Sequence, residues 1–162
     1  MKAIDDLIDE VARDKRCKIF PVKNELPPLP SSNLAYPSDL IDFYNLCGGA
    51  ILFEAGKDNV SFEILSPDDL VQMNVVVLGD ECLFDISSTW YAICRTDSGD
   101  YISIDLSRER NGRCYDSNHE VHGVPGSCPI VSLSFEELLN KLYRTNGKDI
   151  FWKSTNYGDA YG

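Results

Sequence analysis

The chain has 162 residues and a net charge of −11 at neutral pH, and its length is that of one globular domain. Hydrophobic residues make up 43% and charged residues 25%, which excludes a disordered, collagen-like or coiled-coil chain. Acidic residues outnumber basic ones by 26 to 15, so the protein repels the phosphates of nucleic acids and of anionic membranes. Charge therefore predicts a partner with a basic surface, and neither a nucleic acid nor a membrane.

Two features of the sequence predict a cytoplasmic protein with reduced cysteines. No apolar run approaches the length of about 18 residues that a membrane-spanning helix needs. Acidic residues, namely Asp5, Asp6, Asp9 and Glu10, occupy the region where a signal peptide has its apolar stretch. The six cysteines are spread over the whole chain, which favours free thiols, several of them buried, over a disulfide framework.

Four segments have the apolar spacing or the capping residues of helices. They are residues 4–17, 37–47, a short segment 66–74, and 134–142. The second is closed by Gly48-Gly49, because glycine adopts a left-handed helix cap at least cost. The last opens with a capping box of Ser134 and Glu137. The prolines between residues 20 and 30 predict instead an extended segment whose leucines point inward.

Alternating apolar residues and turn signals predict the strands of an antiparallel sheet. The predicted strands are residues 50–54, 60–64, 90–95, 101–106, 112–115 and 129–133. This order of elements predicts an α+β fold, a mainly antiparallel sheet with helices packed around it. Residues 1–145 are expected to form this domain. Residues 146–162 form a C-terminal extension that is expected to be partly packed or flexible, because its last residues have little apolar content.

A catalytic or metal centre has only weak support in the sequence. Cys114, His119, His122 and Cys128 have the ligand types and the number of a structural zinc site, but their spacing matches neither a zinc knuckle nor a finger. We keep them as a minor alternative to a polar loop that contains two histidines. The chain has no nucleophile elbow, phosphate loop or dinucleotide fingerprint, so we predict no catalytic residues and no cofactor.

One stretch of the chain concentrates negative charge. Between residues 54 and 85 only Lys57 offsets eight carboxylates, which are Glu54, Asp58, Glu63, Asp68, Asp69, Asp80, Glu81 and Asp85. If these side chains share a face, they form a negative field suited to a cationic partner. A solvated surface without a partner is the competing interpretation, and the sequence leaves both open.

The order of several short motifs resembles the SUKH superfamily over residues 20–145. The motifs are Leu26-Pro27 with Leu29-Pro30, Tyr36-Pro37, Leu40 to Tyr44, Gly48-Gly49, Ile64 to Leu70, Trp90 to Ile93, Ser98 to Leu106, Gly112 to Ser117, and Ser134 to Leu139. The chain departs from the family pattern at Cys47, where members commonly have an asparagine before the two glycines. Trp90 and the two glycines are interpreted as core and backbone positions.

The resemblance implies a non-catalytic α+β domain that acts by binding another protein. Bacterial members resemble immunity proteins that neutralise a cognate toxin domain, for example a nuclease, and fungal members are cell-wall-assembly regulators. The alternative to an immunity protein is therefore a regulatory or scaffold protein without a toxin partner. We expect Tyr101 to contact the partner, since it lies on the face of its strand opposite Ile102 and Ile104. Seven carboxylates of the acidic stretch are the other candidate contacts, namely Glu54, Asp58, Asp68, Asp69, Asp80, Glu81 and Asp85. The sequence does not predict the oligomeric state.

Overall fold

Seven β-strands form one antiparallel sheet in which the order of the strands follows the order of the chain. The computed structural model describes residues 1–162. The strands are β1 (Lys18–Ile19), β2 (Ala50–Leu52), β3 (Phe62–Ile64), β4 (Trp90–Thr96), β5 (Tyr101–Asp105), β6 (Cys114–Ser117) and β7 (Ile130–Ser132). Each strand pairs only with its sequence neighbours, so the sheet is a meander built from local connections. The predicted α+β class is confirmed.

Four helices accompany the sheet, and three of them cover one of its faces. The helices are α1 (Ile4–Arg13), α2 (Ser38–Leu46), α3 (Met73–Leu78) and α4 (Phe135–Arg144). Ser134 caps α4 as predicted, because its hydroxyl oxygen accepts the Glu137 N–H at 3.1 Å. None of the four helices has the length and hydrophobicity that crossing a lipid bilayer would require.

The main core lies between the sheet and helices α1, α2 and α4. Their apolar stripes pack on Phe62, Ile64, Ile102 and Ile104, which are all fully buried or nearly so. The proline-rich segment crosses the edge of this core, and its leucines pack inward as predicted. All six cysteines are free thiols and five of them are buried, again as predicted.

A second, smaller cluster covers the opposite face of the sheet. Trp90 is fully buried there and stacks on Tyr115 with ring centroids 4.1 Å apart. The interpretation of Trp90 as a core residue is confirmed. Met73 of α3 packs into the same cluster, Val77 contacts it, and Asn74 is buried beside them, so these side chains anchor the short helix on this face.

The Gly48-Gly49 pair is required by close backbone contacts. A Cβ atom at Gly48 would lie 2.3 Å from the carbonyl oxygen of Pro21, and one at Gly49 would lie 2.8 Å from that of Ile64. Gly49 also has φ +131°, a backbone conformation that residues with a Cβ atom rarely adopt. The prediction of a left-handed glycine cap on α2 is wrong, because the C-cap residue of the helix is Cys47, whose backbone is extended and whose N–H donates to the carbonyl of Phe43. The glycines are needed for the close backbone contacts instead.

The structure differs from the sequence prediction between residues 66 and 78. The predicted helix over 66–74 is only a 3-10 turn, Pro67–Asp69, and α3 begins later at Met73. Three consecutive valines in α3 have low helix propensity, so the segment was not predicted as a helix. Its cap signals are nevertheless present, because Gln72 accepts the Val75 N–H and Gly79 closes the helix with φ +73°.

The C-terminal residues 146–162 lie against the sheet. Trp152 is 3% exposed, belongs to the main core, and donates from Nε1 to a carboxylate oxygen of Asp116 at 3.0 Å. Further on, the Ile130 N–H donates to the carbonyl of Gly158 at 2.7 Å. The segment therefore covers β7, which would otherwise be an exposed edge strand.

Candidate protein-interaction surface

The four residues of the alternative zinc site do not come together. Cys114 is buried in the main core, whereas Cys128 belongs to the smaller cluster on the opposite face of the sheet. The structure contains no group of three or more histidine, cysteine, aspartate or glutamate side chains that could hold a metal ion. The minor prediction of a zinc site on these residues is therefore wrong, because the sheet separates its cysteines.

The two histidines occupy different environments. The Nε2 atom of His122 is 2.6 Å from the side-chain oxygen of Asn74, and its Nδ1 atom is buried without a partner. Burial lowers the pKa of His122, so its neutral form is favoured. His119 is exposed, and its hydrogen bond to Asp100 raises its pKa. His122 thus holds its loop against α3.

The acidic stretch is divided between the two ends of the sheet. Glu54 and Asp58 lie in the connection that enters β3, and Glu54 forms an ion pair of 3.2 Å with Lys18. Asp68 and Asp69 follow the other end of β3, as do Asp80 and Glu81 further along the chain. Successive connections of an antiparallel meander leave a strand at opposite ends, so contiguity in sequence does not place the seven candidate carboxylates on one surface.

Asp85 has a structural role within its own loop. Its carboxylate accepts the Ser87 N–H at 3.0 Å and the Tyr161 hydroxyl at 2.6 Å. Burial alone would raise the pKa of Asp85, but these hydrogen bonds and one from the Ser87 hydroxyl outweigh it and lower the pKa. Asp85 therefore fixes the end of the loop and the C-terminal segment to each other.

Tyr101 lies away from the carboxylates around α3. It is half-buried on the face of the smaller cluster and pairs with Arg95 across the β4–β5 hairpin. The bridge from Gln72, just before α3, is to Tyr91 at the other end of β4. Tyr91 and Arg95 are four residue steps apart along the strand, which is roughly 13 Å. The structure does not bring Tyr101 together with Asp68, Asp69, Asp80 and Glu81.

The surface around α3 combines those four carboxylates with apolar side chains that are exposed. We call it the α3 surface, and its exposed members are Asp68, Asp69, Val71, Val75, Val76, Leu78, Asp80, Glu81, Leu83 and Phe84. The apolar half of this surface was not predicted from the sequence. The available signal was Leu83-Phe84, two large apolar residues in an acidic loop without strand or helix periodicity.

Hydrogen bonds hold the loop after α3 in place. The side-chain amides of Gln72 and Asn74 both donate to the carbonyl of Glu81, at 2.7 and 3.2 Å. The Gln72 amide also donates to the carbonyl of Ser88 at 3.0 Å. These contacts fold the loop back on the start of the helix, so the α3 surface has a fixed shape although most of its side chains contact solvent.

Comparison with known proteins identifies the family. The sequence model of the SMI1 / KNR4 family (SUKH-1) matches residues 31–141, which is most of the chain. The chain belongs to this family. It is also 35% identical to the "Immunity protein YokJ" of Bacillus subtilis (strain 168), and the similarity covers 98% of this chain and 96% of that protein. No solved structure matches the chain.

The family match and the wider similarity cover different parts of the fold. The SUKH-1 match runs from the end of the proline-rich segment into α4, and it includes the whole α3 surface. The similarity to the immunity protein extends over nearly the whole chain and so also includes α1 and the C-terminal segment that covers β7. The family resemblance predicted from the sequence motifs is confirmed.

Proposed function

We propose that this chain is an immunity protein that binds a cognate toxin domain and neutralises it by occluding its active surface. The observation that carries the proposal is the 35% identity, over nearly the full length of both proteins, to a protein named as an immunity protein. A similarity of that extent includes the core, the edge-covering segment and the exposed surfaces. It therefore supports a shared mode of action and a shared fold.

The charge of the chain supports a basic partner, and a nuclease domain is the class that fits best. A nuclease binds phosphates through a basic cleft, and carboxylates on an inhibitor can occupy the same positions as those phosphates. The net charge of −11 and the four exposed carboxylates of the α3 surface provide the complementary field. The same field speeds the encounter of the two proteins.

The states of the potential nucleophiles support a role in binding without catalysis. Burial raises the pKa of five of the six cysteines, to about 11 for Cys47, so their reactive thiolate forms are disfavoured. His122 is buried against Asn74 and His119 is paired with Asp100. We place the action of the protein in the cytoplasm, where six free thiols stay reduced.

A binding titration tests this proposal. The probe is the toxin domain encoded nearest to this gene, purified in a catalytically inactive form and titrated by calorimetry at low and at high salt. We expect tight one-to-one binding that weakens as salt rises, because exposed charges are screened. Absence of binding at both salts would contradict the immunity role and favour a regulatory protein. Tight binding that is indifferent to salt would keep the immunity role and contradict the electrostatic part of the proposal.

A further inference from the structure

We propose that the toxin docks on the α3 surface, with Phe84 as its apolar anchor and with a lysine or arginine side chain of the toxin in the cavity beside Leu83. This inference rests on the proposed function and names the surface that performs it. It is carried by three observations: an apolar patch that is exposed, a cavity lined by Leu83 of that patch, and four exposed carboxylates in the same β3–β4 connection.

The exposed patch is unusual because its apolar residues are large and close together in the chain. Phe84 is fully exposed and Leu83 is 70% exposed, and Leu78 at the end of α3 is 54% exposed. Exposed apolar patches bordered by polar residues are typical of protein-binding sites. Aromatic residues at the centre of such patches commonly provide a large share of the binding energy. The loop that holds Phe84 is already fixed, so binding orders little additional backbone.

A cavity of about 390 Å³ lies between this loop and the proline-rich segment. Its lining includes Pro30, Leu34, Gln72, Glu81, Leu83 and Tyr91. Three of its ten lining residues are hydrophobic. These can contact the aliphatic part of a long basic side chain, while a carboxylate and an aromatic ring bind its charged end. Glu81 and Tyr91 provide these two groups, and the side chain of Glu81 has no ion pair or hydrogen bond of its own in the structure.

The charges around the patch favour a basic protein over other occupants. The carboxylates of Asp68, Asp69, Asp80 and Glu81 are all exposed, and they lie in the same β3–β4 connection as the patch. A second copy of this chain would bring like charges together, and a nucleic acid would bring its phosphates against carboxylates. A toxin domain with basic residues around an apolar centre is complementary in both respects.

A native cysteine allows a first test without mutation. Cys82 lies between Glu81 and Leu83 and is the one cysteine of the six that is not buried. We expect saturating toxin domain to slow the alkylation of Cys82 by N-ethylmaleimide about 10-fold or more, as followed by mass spectrometry of the peptide. Alkylation at an unchanged rate, with the chain fully bound in a parallel titration, would overturn the proposed surface.

A matched pair of variants gives a second test. Phe84→Ala is expected to raise the Kd for the toxin domain by about 30-fold or more, which is the range of an interface hot spot. Leu46→Ala is the control, because Leu46 is 50% exposed at the end of α2, on the other side of the sheet. The Kd of this variant for the toxin domain should stay within about 2-fold of that of the unmodified chain. Equal affinities of both variants and the unmodified chain would overturn the docking surface.

The two proposals fail in different ways. If the unmodified chain does not bind the toxin domain, the proposed function is wrong and this inference is wrong with it. If the unmodified chain binds, but Phe84→Ala binds equally well and Cys82 stays reactive, the immunity function remains and the docking surface alone is wrong. If Phe84→Ala changes the self-association of the chain and leaves toxin binding unchanged, the occupant is a second copy.

Discussion

Replacing Asp105 by Ala is expected to lower the free energy of unfolding by about 3 kcal/mol, because it removes the central acceptor of a buried polar network. Asp105 is fully buried, and its Oδ1 atom accepts the Thr89 hydroxyl at 2.7 Å and the Ser107 N–H at 2.9 Å. Its Oδ2 atom accepts the Tyr115 hydroxyl at 2.7 Å and Nε of Arg110 at 3.0 Å. The Arg110 side chain is 24% exposed and can reach water, which places the loss near the lower end of the usual range of about 3–5 kcal/mol.

Urea unfolding followed by circular dichroism at pH 7 measures this effect. The variant Asp105→Asn keeps an acceptor at Oδ1 and loses the two bonds at Oδ2, so we expect a smaller loss, about 2 kcal/mol. Asp97→Ala, at an exposed position of the β4–β5 turn, is the control and should change stability by less than about 0.5 kcal/mol. A loss below about 1 kcal/mol for Asp105→Ala would contradict a net stabilising role of the network.

Reversing the four carboxylates of the α3 surface is expected to have the largest effect on the kinetics of binding. With Asp68, Asp69, Asp80 and Glu81 all changed to Lys, the association rate with the toxin domain at low salt should fall by about 10- to 100-fold. The physical reason is that these exposed charges attract a basic partner before contact, and Lys at the same positions repels it. Stopped-flow fluorescence at several salt concentrations measures the rate.

A second charge reversal separates local from global electrostatics. It replaces four exposed aspartates away from the α3 surface by Lys, namely Asp5, Asp9, Asp42 and Asp149, and so changes the net charge by the same amount. We expect this control to slow association only a few-fold, because its charges lie farther from the interface than a Debye length of about 10 Å at 0.1 M salt. Equal rates for both variants would show that only the net charge matters and would contradict the assignment of the acidic surface.

The sequence was sufficient to predict the parts of the fold that depend on local pattern. Helix α1 and helix α4 have clear apolar stripes, and the hairpin around Gly99 has a strong turn signal, so these elements were predicted close to their observed bounds. Helix α3 was missed because its valines favour a strand by propensity, whereas the helix is held by Met73 in the smaller cluster and by the hydrogen bonds of buried Asn74. Strand β1, with two residues, is too short for any pattern to reveal.

The candidate surface was only partly predictable for a similar reason. The acidic stretch is visible in the sequence, but its division between two ends of the sheet depends on the direction in which β3 runs. The exposed position of Phe84 depends on the amides of Gln72 and Asn74, which fold the loop back from a distance in the chain. Hydrogen bonds between a side-chain amide and a loop carbonyl leave no periodic signal, so an aromatic residue in a loop could equally have been buried.

Protection of cells from the toxin tests the immunity function and its docking surface most directly. The toxin domain encoded nearest to this gene is induced in cells, and survivors are counted. The cells co-express one of three proteins: this chain, its Leu46→Ala control, or a variant that combines Phe84→Ala with the four Lys substitutions. The account predicts full survival with the first two and loss of protection with the third at equal protein levels. Death of cells that contain the folded, unmodified chain would contradict the immunity function, and full protection by the third variant would contradict the α3 surface.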